Sequence, residues 1–241
     1  MTRLRTSLLV AVAGIGGLAF LALAIPQGAA RADNAAGALP PPALDLPPSD
    51  SGPQTAIFAG GCFWGVQGVF QHVKGVTQAV SGYAGGTVAD PGYERVSSGR
   101  TGHAEAVRVT FDPAEVSYGR LLQIFFSVAL DPTQVNRQGP DWGTQYRSEL
   151  FVGSEQQDKV ARAYLAQLSA THVFAKPIAT RIDAAGPFYP AEGYHQDYLT
   201  NHPDNPYVAV NDIPKVRSLE RLFPESWRPA PVTVGQVASG S

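Results

Sequence analysis

A two-layer α+β sandwich with long irregular loops is the architecture this sequence predicts, and three observations predict it. Between about residues 55 and 228, short apolar runs of strand character are interspersed with helical apolar stripes. The two kinds of segment follow no strict β–α repeat, which argues against a doubly wound parallel sheet. Residues 85–102 and 131–146 show neither period, and loops of that length in a compact domain are usually functional or disordered.

The chain has 241 residues, of which 44% are hydrophobic and 16% charged, enough for one sizeable core. It opens as an export signal over residues 1–32: Arg3 and Arg5 form a basic start, Leu8 to Ile25 is uncharged and apolar, and Ala30-Arg31-Ala32 offers a small-x-small cleavage site. The run is also near the length that spans a bilayer, so an uncleaved anchor is the competing reading; the Gly and Ala content and the cleavage site favour removal. Either way the remainder is exported, to a periplasmic or extracellular compartment, without stable membrane association once the leader is cleaved. The formal net charge is −2 overall and −5 beyond the leader, because Arg3, Arg5 and Arg31 are three of the 18 basic residues and all 20 acidic ones lie later. No basic face is in evidence, which excludes a nucleic-acid partner. Residues 33–54, with Pro40-Pro41-Pro42, read as a flexible or polyproline-like linker, and residues 229–241 as a flexible tail.

Within the domain, Ala56 to Ala59 is a short strand stopped by Gly60-Gly61. Phe63, Trp64, Val66, Val69, Phe70 and Val73 then follow a helical period. Val76 to Tyr83 reads as a strand, and Glu105 to Phe111 alternates clearly, with Val107, Val109 and Phe111 on one face. Ser117 is placed to cap a helix carrying Leu121, Leu122, Ile124, Phe125 and Phe126. A strand around Glu149 to Val152 is followed by Ser154-Glu155-Gln156-Gln157, a capping box opening a helix with Val160, Tyr164, Leu165 and Leu168. Ile178 to Ile182 reads as the last strand.

The composition holds one cysteine, Cys62, so no internal disulfide and no multi-thiolate metal site can form. His72, His103, His172, His195 and His202 show no ligand spacing, and no metal is expected. Cys62 falls where a strand becomes a helix. Helix-start N–H groups favour a thiolate and lower the thiol pKa, yet free cysteines are as often small buried hydrophobes; on position alone both readings stay open. Phe63 and Trp64, being adjacent, cannot share one helix face, so one of them is expected beside the thiol. Glu105 shares strand parity with the apolar face, where burial would keep it protonated and able to donate to an oxygen leaving group; the alternative is a strand-end glutamate that curls into solvent. Asp141, Tyr146 and Tyr93 in the loops are either substrate contacts or turn and packing residues. His195, near Tyr194 and Tyr198, is either a base or a structural histidine.

Taken in order, Gly61-Cys62-Phe63-Trp64-Gly65, Gly82-Tyr83-Ala84-Gly85-Gly86, Thr101-Gly102-His103-Ala104-Glu105, Asp131-Pro132, Arg137-Gln138-Gly139-Pro140-Asp141, Gly143 to Ser148, Phe188-Tyr189, Glu192, His195-Gln196-Asp197-Tyr198 and Pro206-Tyr207 resemble the A-type peptide methionine sulfoxide reductases, from about Thr55 to about Pro224. The resemblance implies a ferredoxin-like sandwich and reduction of methionine S-sulfoxide, free or in oxidised proteins or peptides, without a bound cofactor. It implies Cys62 as nucleophile, Glu105 as acid assisted by Tyr93 and Tyr146, Phe63 and Trp64 as the slot for the substrate methyl, and Asp141 and Tyr198 around the site. Two departures stand out. Residues 203–241 lack the further cysteines many members use to resolve the sulfenic acid, so an external thiol is expected, from a thioredoxin-like or glutaredoxin-like protein or a small molecule. Trp142 stands where the family often has a smaller or polar residue. A monomer is expected. The rival functions are cysteine-based acyl transfer through Cys62 and His195, and a non-catalytic domain that binds methionine-rich peptides.

Overall fold

The computed structural model describes residues 37–49 and 52–235; the leader, residues 33–36 of the linker and residues 236–241 of the tail lie outside them. The elements in chain order are β1 (Gln54–Gly60), α1 (Phe63–Gln71), β2 (Val76–Ala84), α2 (Tyr93–Ser97), β3 (Ala104–Phe111), α3 (Tyr118–Ile124), β4 (Arg137–Gln138), β5 (Asp141–Trp142), β6 (Ser148–Val152), α4 (Glu155–Ala170), β7 (Arg181–Ala184), β8 (Tyr189–Pro190), α5 (Tyr198–Asn201) and α6 (Ile213–Leu222). Six strands form one sheet in the order β7-β6-β1-β3-β2-β8. Only the β6–β7 pair is parallel. The class is α+β, as expected, and the inner order β6-β1-β3-β2 has the split βαβ arrangement of a ferredoxin-like sandwich.

Strand alternation divides the sheet into two unlike faces. Phe58, Tyr83, Val107, Val109, Phe111, Leu150 and Val152 point into the main core with α1, α3 and α4. There the ring of Phe58 lies 4.7 Å from that of Phe70 and 5.1 Å from that of Phe125, and each such buried side chain contributes about 1.5–3 kcal/mol. The intervening residues, Ala59, Ala84, Ala104, Ala106 and Phe151, form a smaller cluster on the other face.

Several segments differ from the sequence reading. The loop 85–102 contains α2, and 131–146 contains the β4–β5 hairpin and a 3₁₀ turn over Thr144–Tyr146. The strand expected from Ile178 begins at Arg181 and is not the last, since β8 follows it. Ala179 N–H donates to Pro132 O at 2.7 Å and Thr180 Oγ1 pairs with Ser148 Oγ at 2.8 Å, so parallel pairing with β6 starts only at Arg181 opposite Glu149. The capping box at α4 is half of one. Ser154 Oγ accepts from Gln157 N–H, but the Gln157 side chain bonds Gly153 N–H and Thr55 O instead of the Ser154 backbone. Ser117 caps α3 by accepting from Arg120 N–H, as expected.

The described part of the Pro-rich segment is not a free linker. Leu39 bonds Ser127 and Gln123, Pro40 O accepts from Tyr164, and Pro41 and Ala43 bond the Gln167 side chain. Extended proline-rich backbone cannot bond itself, so the amides and hydroxyl on α3 and α4 take up its carbonyls. The tail is likewise held as far as residue 235: Val232 N–H donates to Gln71 O, and the N–H groups of Val234 and Gly235 reach the Asp197 carboxylate.

Candidate active site

β1, a central strand, runs out into two glycines that other groups approach closely. A Cβ on Gly60 would lie 2.8 Å from the Phe125 ring. Gly61 has φ 88°, and a Cβ there would collide with the Gln138 side chain, so residue 61 is restricted to glycine on both counts. Gln138 is itself clamped, its amide bonding both N–H and C=O of Asp131. The turn so formed sets Cys62 at the N-cap of α1, buried and in the free thiol form.

Glu105 comes from the neighbouring layer. Strand parity turns it to the helix-covered face, opposite Tyr83 on β2, and it is 2% exposed. Its Oε2 accepts from Phe63 N–H at 3.0 Å, which brings the carboxyl within one peptide unit of the thiol. Burial pushes Glu105 up to about 8, with Asp141 and Asp212 adding to the rise and the Phe63 N–H opposing it. It is therefore an uncharged acid at neutral pH.

Of the two readings of Cys62, burial outweighs the helix start. Burial, then Glu105, then Asp212 push the Cys62 thiol well above its ordinary value, and the helix-start N–H of Trp64 opposes this without reversing it. Desolvation outweighs the helix terminus because a thiolate loses more in leaving water than one N–H returns. Site and acid both hold their protons at rest.

Around this pair the loops supply phenols. Tyr146, at the end of the 3₁₀ turn, is raised by burial and then by Glu105, Tyr93, Asp141 and Cys62. Tyr93 is raised by burial and by Glu105 and Cys62. Both remain O–H donors across the neutral range. Asp141 accepts from Tyr207 Oη, and Tyr207 in turn is raised by burial and Cys62. Trp142 projects outward at 68% exposure with the Arg137 guanidinium 4.1 Å over its ring, so the wider side chain is taken up by the hairpin's outer face.

Of the two adjacent aromatics, Phe63 enters the core and Trp64 stays half-buried. Trp64 is stacked on Tyr198 at 3.7 Å and 10°, and its Nε1–H donates to His195 Nδ1 at 3.2 Å. An indole N–H only donates, so His195 is neutral with its proton on Nε2; burial lowers its pKa in the same sense. His195 therefore holds an indole and does not serve as a base for Cys62. Tyr198 sits one ring further out, behind Trp64. Glu192 accepts from Tyr83 Oη and Tyr93 N–H, both at 2.8 Å, fixing the start of α2.

The structure thus joins Glu105 to the residue after Cys62, and Tyr93, Tyr146 and Asp141 are coupled to that pair electrostatically. Sequence reasoning missed Tyr207, Glu192, Asp212 and Lys215 as members of this neighbourhood. Asp212-Ile213-Pro214 has the look of a helix start, but nothing in it says which helix it packs against.

A lone buried thiol joined through one peptide to a buried carboxyl, in an α+β sandwich, fits the class of enzymes that work through a cysteine. The sequence pattern of the family described as peptide methionine sulfoxide reductase matches residues 54–226. Peptide methionine sulfoxide reductase MsrA 2 of Mesorhizobium japonicum is 57% identical over 183 residues, covering 76% of this chain and 94% of that one; the MsrA 2 of Synechocystis is 47% identical over 206 residues, 84% and 96%. Among solved structures, reduced Mxr1 of Saccharomyces cerevisiae superposes with a TM-score of 0.56 at 32% identity, covering 66% of this chain and 90% of that chain. Methionine sulfoxide reductase A of Corynebacterium diphtheriae gives 0.54 at 32% identity, covering 70% and 89%. The chain belongs to the peptide methionine sulfoxide reductase family, and it is an oxidoreductase that reduces methionine sulfoxide, an activity of protein repair.

Proposed function

We propose that Cys62 takes the sulfoxide oxygen of the S epimer of methionine sulfoxide while Glu105 manages the proton. The observation that carries this reading is the bond from Phe63 N–H to Glu105, which seats an uncharged carboxyl beside the thiol. A sulfoxide oxygen leaves poorly until protonated. Glu105 donates its proton to that oxygen and receives the thiol proton in exchange, so the carboxyl is unchanged over the step. In balance, Cys62–SH and R₂S=O become Cys62–S–OH and R₂S: the oxygen leaves one sulfur, two electrons pass to it, and Cys62 is oxidised to a sulfenic acid. Tyr93 and Tyr146 donate to the same oxygen, while Trp64, steadied by His195 and Tyr198, walls the methyl side. Holding oxygen and methyl in separate places selects the epimer.

With no second cysteine in the chain, an external thiol condenses with the sulfenic acid, releasing water, and a second one frees Cys62. The basic start, apolar run and small-x-small site of residues 1–32 support export, where the clients are oxidised envelope or secreted proteins.

The test is single turnover on a peptide carrying methionine sulfoxide. One equivalent of methionine is expected before any reductant is added, with a dimedone-trappable adduct on Cys62 and no reaction of the R epimer. Full turnover by Cys62→Ser would sink the assignment.

A further inference from the structure

Asp212 and Lys215 lie beside the helix that carries Cys62 and take no part in the steps above. Asp212 is 0% exposed and ends the π-helical turn Val208–Asp212 just before α6. Its Oδ1 accepts from Lys215 Nζ at 3.1 Å, and its Oδ2 has no hydrogen-bond partner among the described residues. The pair rests on Gly65: a Cβ built there would collide with Asp212 Oδ1 and come within 2.8 Å of Lys215 Nζ. Gly65 is three residues after Cys62, one turn along the same side of α1. Glycine inside a helix is destabilising, and here its bareness admits a carboxylate and an ammonium to the first turn. A buried ion pair is a weak source of stability, so its place beside the only cysteine asks for another reason.

We propose that Lys215 and Asp212 form a charge couple that sets how readily Cys62 acts as nucleophile and as leaving group, Lys215 favouring the thiolate and Asp212 opposing it. Both are positioning residues acting through Cys62, and the inference rests on Cys62 being the nucleophile. The lone cysteine must leave as well as attack. After Cys62–S–OH and an external RSH give Cys62–S–S–R and water, a second thiolate attacks the R sulfur, and Cys62 departs with the electron pair. A cation nearby helps both events. Electrostatics at the thiol agree in sign: Asp212 raises its pKa and Lys215 lowers it. The other groups facing Cys62 are Glu105 from β3, Tyr93 from α2, Tyr146 from the 144–146 turn and Tyr207, with Asp141 of β5 acting on Glu105.

Because the protein has one cysteine, alkylation by iodoacetamide across pH reads this thiol alone, without turnover. Lys215→Met is expected to move the rate–pH curve upward, slowing alkylation about tenfold at fixed pH for a shift of one pH unit. Asp212→Asn moves it the opposite way, and Lys215→Arg stays near wild type. A purely structural pair would give shifts of one sign by loosening the site, and that result, or no shift, overturns the proposal. Should Lys215→Met fail to fold, the uncharged pair Asp212→Asn/Lys215→Met is compared with Asp212→Asn: a curve at higher pH supports the role of Lys215, and coincidence overturns it. Failure of the sulfoxide reaction would leave these curves untouched, so the two failures are distinguishable.

Discussion

Two glutamates on opposite faces of the sheet are each 2% exposed, and they live in different electrostatic worlds. Glu149 on β6 lies opposite Ala59, toward the alanine-lined face. Arg147 Nε donates to it at 2.6 Å, and the same guanidinium also bonds Thr144 O and Gly102 O. Burial and then a hydrogen bond with Asp183 push Glu149 up to about 7, with Arg147 holding it down. Glu105 on β3 meets a backbone N–H and two further carboxylates, and among the described residues no cation is paired with it. A buried carboxyl given a cation ties strands together. One denied a cation keeps its proton and has chemistry to offer.

The same substitution at both positions breaks the comparison open. Glu105→Gln keeps an acceptor for Phe63 N–H and removes the exchangeable proton. Turnover on a sulfoxide peptide is expected to fall by about 10²–10³-fold, in the range of general acid catalysis, while the melting temperature holds. Glu149→Gln leaves the buried Arg147 guanidinium without its counter-charge, with an expected loss of about 2–3 kcal/mol in urea unfolding and near wild-type turnover of the folded protein. A Glu105→Gln protein that unfolds early but turns over normally would reverse the roles.

Acidity separates the pair more finely. Both carboxyls have folded pKa values above the ordinary carboxylate value, so between that value and the folded one the native state holds protons the unfolded chain has lost. Their contribution is fully present below about pH 4.5 and is lost as pH rises through about 7 for Glu149 and about 8 for Glu105. Melting temperature should fall on the alkaline side, less so in each glutamine variant. Turnover should follow Glu105 alone, declining above about pH 8, and the decline should persist in Glu149→Gln. A decline centred near 7 that vanishes in Glu149→Gln would mean the wrong glutamate has been given the proton.

Only the Glu105 side of this contrast was open to the linear sequence, with a solvent-curling strand end as its alternative. Strand alternation over 105–111 places Glu105 on the apolar face, and Gly60-Gly61 before a helical period places Cys62 at a helix start. Neither inference needs distant contacts. The direction of the thiol shift was not legible, because it depends on burial, on Glu105 and on Asp212, which is 150 residues away and packs against the bare Cα of Gly65. The role of His195 escaped for the same reason: its tautomer is set by Trp64, 131 residues earlier. Composition misled for the Pro-rich segment, since its partners Ser127, Gln123, Tyr164 and Gln167 look like ordinary helix residues until the chain folds back on them.

That folded-back segment supplies a third carboxylate and the smallest effect. Asp45 is exposed; its Oδ1 accepts from Gly119 N–H at 2.8 Å, and Oδ2 accepts from Ser117 Oγ, so it caps α3 from outside together with Ser117. Gly119 is bare where Asp45 rests, and a Cβ there would collide with the carboxylate. A carboxylate bonded to helix-start donors contributes about 1 kcal/mol. Asp45→Ala is expected to lower stability by that amount in urea unfolding, with turnover and its pH profile unchanged. Proteolysis should sharpen the point, because cleavage between residues 37 and 49 should speed up in the variant as the strap loosens from α3. Resistance equal to wild type would show that the bonds from Tyr164 and Gln167 hold the strap without Asp45, and that a carboxylate at the surface, unlike either buried glutamate, can be removed without consequence.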